Sequence, residues 1–342
     1  MNAFSLYRDA ITGHEIRKYT NGPERNAKLY FTTENFSLDD RFFFFNRNTG
    51  DGPLPDGGLY RCDVETGEAE RMAGPEYRGF AMDRFENFGV LCRGNVVCRL
   101  DCGTGKITEL GELPAGGNVT GHLTTSKSGR IACSYQLYSK IYALVILDPE
   151  TGKSEIVHQS DYHLGHAQIC PTDDNLLFYI HETGGDALQR TWMYDIKNRA
   201  ARPYYVEQPG EWITHEVWSA DGSLMAFMKL PGRVMLGDRD GRHFWQAGYS
   251  EQLLHPCLSR DNAWLCADRT SYLGVTVQDA VVLMNAQTGK TADLATTFAP
   301  KTGADHQHPS FNRRGDMVLF SAPDESGNAQ VCAIDLNQVA RP

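Results

Sequence analysis

No run of 18 consecutive apolar residues occurs anywhere in the 342-residue chain, so no membrane-spanning helix is expected. The opening MNAFSLYRDAITGHEIRKYT has no apolar core of a secretory signal, and a cytoplasmic protein is the expectation. Basic charge is scarce: 33 Lys and Arg stand against 43 Asp and Glu, for a net charge of −10. Without a basic stripe to neutralise phosphates, nucleic acid and anionic membranes are excluded as expected partners, and an acidic ligand would need a local cationic site. Paired cysteine motifs are missing too. The nine cysteines are odd in number and scattered through apolar stretches, and the Cys98/Cys102 spacing has no second pair to complete a zinc site. They read as small buried residues in a reducing compartment. No G-x-S-x-G elbow, Walker loop or dinucleotide fingerprint is present, which argues against a serine hydrolase and against nucleotide-dependent chemistry.

What is abundant is turn and strand material: 33 Gly, 15 Tyr and 16 Phe in a chain with ordinary apolar content. A polar turn followed by a short apolar run recurs as SLDDRFFFF at Ser37, SKSGRIACS at Ser126, CPTDDNLLFY at Cys170, SADGSLMAF at Ser219, SRDNAWLCA at Ser259 and NRRGDMVLF at Asn312, with a weaker copy, RFENFGVLC, at Arg84. A second marker follows each, a strand ending in Asp or Asn and a turn such as Thr-Gly: LYRCDVETGE, VCRLDCGTGK, LVILDPETGK, WMYDIKNR, VMLGDRDGR, LMNAQTGK and CAIDLNQ. Two markers in register at roughly 40 to 50 residues predict an all-β, seven-bladed β-propeller of four-stranded blades, residues 1–342 forming one domain. Six blades would result if the weak copy were not a repeat. The final marker near Asp335 leaves the last blade one strand short, and an N-terminal segment at about 10–30, containing HEIRKYT, is expected to supply it and close the ring.

Four residues before the anchors stand His122, His166, His215, His255 and His308; the first copy has Thr33 there and the second Phe80 or a near neighbour. Strands leading into such turns are expected to be the innermost, so the five imidazoles should converge on the central channel. Packing seldom needs several titratable groups at one mouth, although inter-blade structural roles remain open. His306 lies two residues before His308 on one side of an extended strand, roughly 7 Å along the chain. With His255 of the preceding repeat these offer three nitrogens to a divalent transition metal and leave positions open for substrate. His14, His158, His163, His181 and His243 lie off the repeat position and read as ordinary surface or strand residues; Trp192, Trp218 and Trp264 read as blade core.

Several stretches resemble the oligogalacturonate lyase family of seven-bladed propellers: TGHEI near the start, PTDDNLLFYIHETGGDALQRTW at 171–192, THEVWSADG at 214–222 and HQHPSFNRRGDMVLF at 306–320. The resemblance implies β-elimination on short uronate oligomers, with His215 as catalytic base and Arg190 assisting at the substrate carboxylate. It also implies His255, His306 and His308 as metal ligands, with manganese the expected ion. From residues alone, Arg190 reads first as a surface or inter-blade salt bridge, His122 and His166 are divided between substrate hydroxyls and structural roles, and Glu182 either orients a ring residue or ends a strand. The chain departs from the family pattern at Gly303, where the family has a glutamine ligand; water, Asp305 or a substrate oxygen are the alternatives there. A uronate of another polysaccharide is the neighbouring expectation for substrate, and a non-catalytic propeller serving as a protein-interaction platform is the expectation from a different class. The partner expected is a small acidic oligosaccharide; oligomeric state is left open.

Overall fold

The computed structural model describes residues 3–49, 56–183, 187–272, 274, 276–302 and 305–342. Seven antiparallel sheets follow one another around an axis, a seven-bladed β-propeller. The innermost strands are, in order, Arg25–Lys28, Tyr77–Met82, the interrupted pair Asn118–Val119 and Thr124–Thr125, then Leu164–Cys170, Ile213–Trp218, Leu253–Leu258 and Ser310–Phe311. The weak copy at Arg84 is a true blade. In the seventh, Glu15–Lys18 lies beside Ala329–Asp335, with Arg17 opposite Ala333, so an N-terminal strand closes the ring; Ser5–Arg8 adds a fifth strand outside it. No helix among the described residues is long and apolar enough to cross a membrane.

Both repeat markers have a local chemical cause. In the first, Ser37, Ser219 and Ser259 each donate their hydroxyl to the aspartate two residues on and accept the backbone N–H five residues on, which closes the tight turn into the second strand. In the second, Asp63, Asp101 and Asn285 accept two successive backbone N–H groups with a side-chain oxygen. Gly67, Gly105 and Gly289 then take the left-handed backbone that completes the turn.

The core is distributed between blades. Phe43 and Phe45 of the first blade pack with Leu319, Val331 and Ala333 of the seventh, sealing the closure, and Val90, Cys92 and Val97 of the second pack with Cys133, Ala143 and Val145 of the third. All nine cysteines are free thiols, eight of them buried, as small apolar residues of such cores would be. Trp218 is buried and donates its indole N–H to the Gln168 carbonyl of the neighbouring blade; Trp192 and Trp264 are half-buried within theirs.

Candidate active site in the central channel

The repeat position of the histidines is a backbone device. The pairing of inner with second strand slips between Gly165 and Gln168, Thr214 and Val217, and Leu254 and Cys257; His166, His215 and His255 sit in those slips with left-handed φ of 48°, 56° and 38°. His308 has φ 42° just before the short inner strand of blade 7. A bulge re-aims a side chain, and a left-handed non-glycine residue costs about 1 kcal/mol or more, so four such residues at one ring position mark a strained, purpose-built site. In blade 2 the same slip, between Arg78 and Ala81, holds Gly79. That is the near neighbour of Phe80, whose ring instead packs 5.3 Å from Phe44.

The imidazoles converge. His255 lies 4.1 Å from His215, 4.2 Å from His308 and 5.2 Å from His306 between ring centroids. His255, His306 and His308 are buried, while His122, His166 and His215 are half-buried. Blade 1 contributes differently from the expectation at Thr33, whose hydroxyl turns back onto the Tyr30 carbonyl. Its inner strand ends early, at Lys28, and the next residues run into the axis. Tyr30 lies 4.9 Å from His308 and 6.0 Å from each of His122, His166 and His255, while Phe31 lies 5.2 Å from His255 and 6.2 Å from His215. Lys28, also buried, donates its ammonium to the Leu29 and His308 carbonyls, and burial pulls its pKa down to about 7.

At the metal candidates, Asp268 was not anticipated from sequence. Its carboxylate is fully buried, takes Nδ1 of His255 at 2.9 Å and lies 3.6 Å from Nδ1 of His306. One ligand atom from each of His255, Asp268 and His306 falls within 4.8 Å of the others. Both ring nitrogens of His306 are buried without a hydrogen-bond partner among the described residues. Such orphaned donors and acceptors are costly unless something binds them, so these residues fit a cation well. Burial would raise the Asp268 carboxyl, yet the His255 imidazole holds it well below the usual carboxylate range. Asp305, next to His306 in the chain, accepts from Thr302 and pairs with Arg25 at 3.4 Å. Gly303 lies outside the described residues.

Arg190, buried, donates to Glu182 at 3.0 Å and to Glu216 of the next blade at 3.2 Å, so the inter-blade salt bridge is present. It also borders a cavity of about 220 Å³ with Tyr30, His166, Glu182, Trp212, Thr214 and His215. Glu216 accepts from His166 Nδ1 at 3.4 Å as well. His215 has its Nδ1 buried without a partner among the described residues. Burial and the neighbouring His255 push its pKa well below the ordinary histidine value, so the imidazole is neutral at neutral pH. A second cavity, of about 780 Å³, runs from Tyr30 and His166 past His122, Arg78, Asn118 and Thr120. His122 bonds Thr32 through Nε2 at 2.8 Å. His14, His158, His163, His181 and His243 border neither cavity.

Residues 133–234 match the family model described as oligogalacturonate lyase. The chain is 23% identical over 250 residues to the oligogalacturonate lyase of Dickeya dadantii, covering 66% of this chain and 63% of that protein. It is 28% identical over 210 residues to the oligogalacturonide lyase of Pectobacterium atrosepticum, covering 52% of each. The aligned region thus spans between about half and two thirds of the curated relatives. An oligogalacturonate lyase solved with manganese superposes with a TM-score of 0.84 at 21% identity, over 97% of this chain and 96% of that one. The oligogalacturonate lyase of Vibrio parahaemolyticus gives 0.84 at 19%, over 98% and 97%. In sequence and in fold this propeller is thus similar to oligogalacturonate lyases.

Proposed function

We propose that the protein is a lyase that cleaves short uronate-containing saccharides, of the oligogalacturonate class for which its relatives are named, by β-elimination. The observation that carries this is one cavity in which a neutral His215 and the cationic Arg190 stand together, beside the cluster of His255, His306 and His308. The C5 hydrogen of a uronate is alpha to a carboxylate, and removing it develops a second negative charge beside the first. The site must therefore neutralise the carboxylate and supply a base.

His215 is the base. With Nδ1 enclosed, Nε2 is the nitrogen that takes the proton. The electron pair of the C5–H bond becomes the C4–C5 double bond, and the C4–O bond breaks with its pair leaving on oxygen. The product is a 4,5-unsaturated uronate. Arg190 approaches the carboxylate, its planar fork suited to bidentate binding once Glu182, the more exposed of its two partners, yields. His255, His306 and His308, with Asp268 behind them, would hold a divalent cation; manganese is the ion bound by the solved relative. When bound, that cation supplies Lewis-acid neutralisation of the developing charge. His166 and His122 border the space for sugar hydroxyls. Incubation with uronate oligomers should give rising ultraviolet absorbance from the unsaturated product; no rise with any uronate oligomer would overturn the proposal.

A further inference from the structure

Tyr30 is the one residue besides His166 that borders both cavities. It comes from one of the two blades that contribute no histidine to the ring, and its side chain stands among four imidazoles at the axis. Tyr30 is half-buried, and its hydroxyl is not sealed from the cavities it borders. That hydroxyl makes no hydrogen bond to any described residue, whereas the deeply set Tyr19, Tyr135, Tyr194 and Tyr204 each donate to a backbone carbonyl. An accessible hydroxyl without a protein partner, in a wall shared by two cavities, is free to donate to a ligand that passes from one to the other.

Resting on the lyase reading above, we infer that the Tyr30 hydroxyl donates a hydrogen bond to the oxygen joining two sugar rings, and so selects the bond that is broken. The smaller compartment holds His215 and Arg190, which act on C5 and its carboxylate, so the reacting ring belongs there. The ring that departs belongs in the larger compartment, beside His122, Arg78 and Asn118. The oxygen between the rings then falls at their common wall, which is Tyr30 and His166. As the C4–O bond breaks, negative charge gathers on that oxygen, and a donor already in place stabilises it more than it stabilises the intact substrate. His166 is less suited to this, because its Nδ1 is engaged by Glu216.

The test is Tyr30→Phe in the metal-loaded protein, a change that removes one oxygen and keeps the ring packing. Two substrates are compared: a uronate disaccharide, and a synthetic uronate carrying an aryloxy group at C4, which leaves readily without help. With the disaccharide, kcat should fall about 10²-fold while KM changes by less than about threefold, the scale seen when one donor to a developing oxyanion is lost. With the aryloxy substrate, kcat should fall by less than about threefold. Equal loss on both substrates, or no loss on the disaccharide, overturns the role of Tyr30 and leaves the lyase reading standing. Failure of the unsubstituted protein on both substrates removes the lyase reading, and this inference with it. Thermal midpoint and metal content, expected unchanged in Tyr30→Phe, exclude misfolding as the source of any loss.

Discussion

Asp268 receives Nδ1 of His255 through both of its oxygens, at 2.9 and 3.0 Å, and both side chains are buried. A carboxylate in that position fixes the proton on Nδ1, leaves Nε2 as a lone-pair donor, and orients the ring. Asp268→Asn should therefore weaken divalent-metal binding by about 10- to 100-fold, measured by titration of metal-free protein with manganese. Unchanged affinity would remove Asp268 from the centre.

His215→Ala should abolish unsaturated product while metal content stays at the level of the parent protein. Base catalysis supplies about 10²- to 10⁴-fold, and a loss in that range is expected in kcat. His306→Ala should show the reverse order, with metal lost first and turnover lost in consequence. Elemental analysis beside the absorbance assay separates the two.

Glu182→Gln is expected to improve substrate binding. The guanidinium of Arg190 is held by Glu182 and Glu216, and the substrate carboxylate competes for it. Neutralising Glu182 removes the competitor, so KM should fall about 3- to 10-fold with little change in kcat, an electrostatic gain on the scale of one charged hydrogen bond. A rise in KM would mean that Glu182 holds Arg190 in its working position instead.

His122 makes stability depend on pH. Burial, helped by the charges of His166 and Arg84, lowers its pKa from 6.5 to about 3. Between those values the unfolded chain binds a proton that the folded chain refuses, so this contribution to stability is lost as pH falls from about 6.5 toward 3. His122→Gln removes the titrating group. Its melting temperature should drop less than that of the parent between pH 7 and pH 4.5, and an equal drop would exclude His122 as the source.

Blades and ring positions were readable because the repeats share local chemistry: a polar turn, serine-aspartate at Ser37, Ser219 and Ser259, an Asp or Asn turn, and in five of seven a histidine four residues before the first. The first blade escaped that pattern. Its early-ending strand shifts the chain, so Tyr30 and Phe31 occupy the axis where the alignment pointed to Thr33. Asp268 and Glu216 lie within apolar strands, CADRT and HEVWS, and nothing in sequence separates a buried acid with partners from a solvent-facing one. The signal available was an acidic residue inside a run expected to be buried, where an unpaired charge is prohibitively costly. Lys28 was hidden similarly, by carbonyl partners that no pattern of residue types announces.

His166, His215 and His255 ride on slips within hydrogen-bonded strands wedged between neighbouring blades, not on free-swinging loops. Shifting one of their Cα atoms by an ångström would mean breaking strand pairing. Substrate thus meets a frame already set, and the entropy of assembling the imidazoles is spent when the chain folds, not at each turnover.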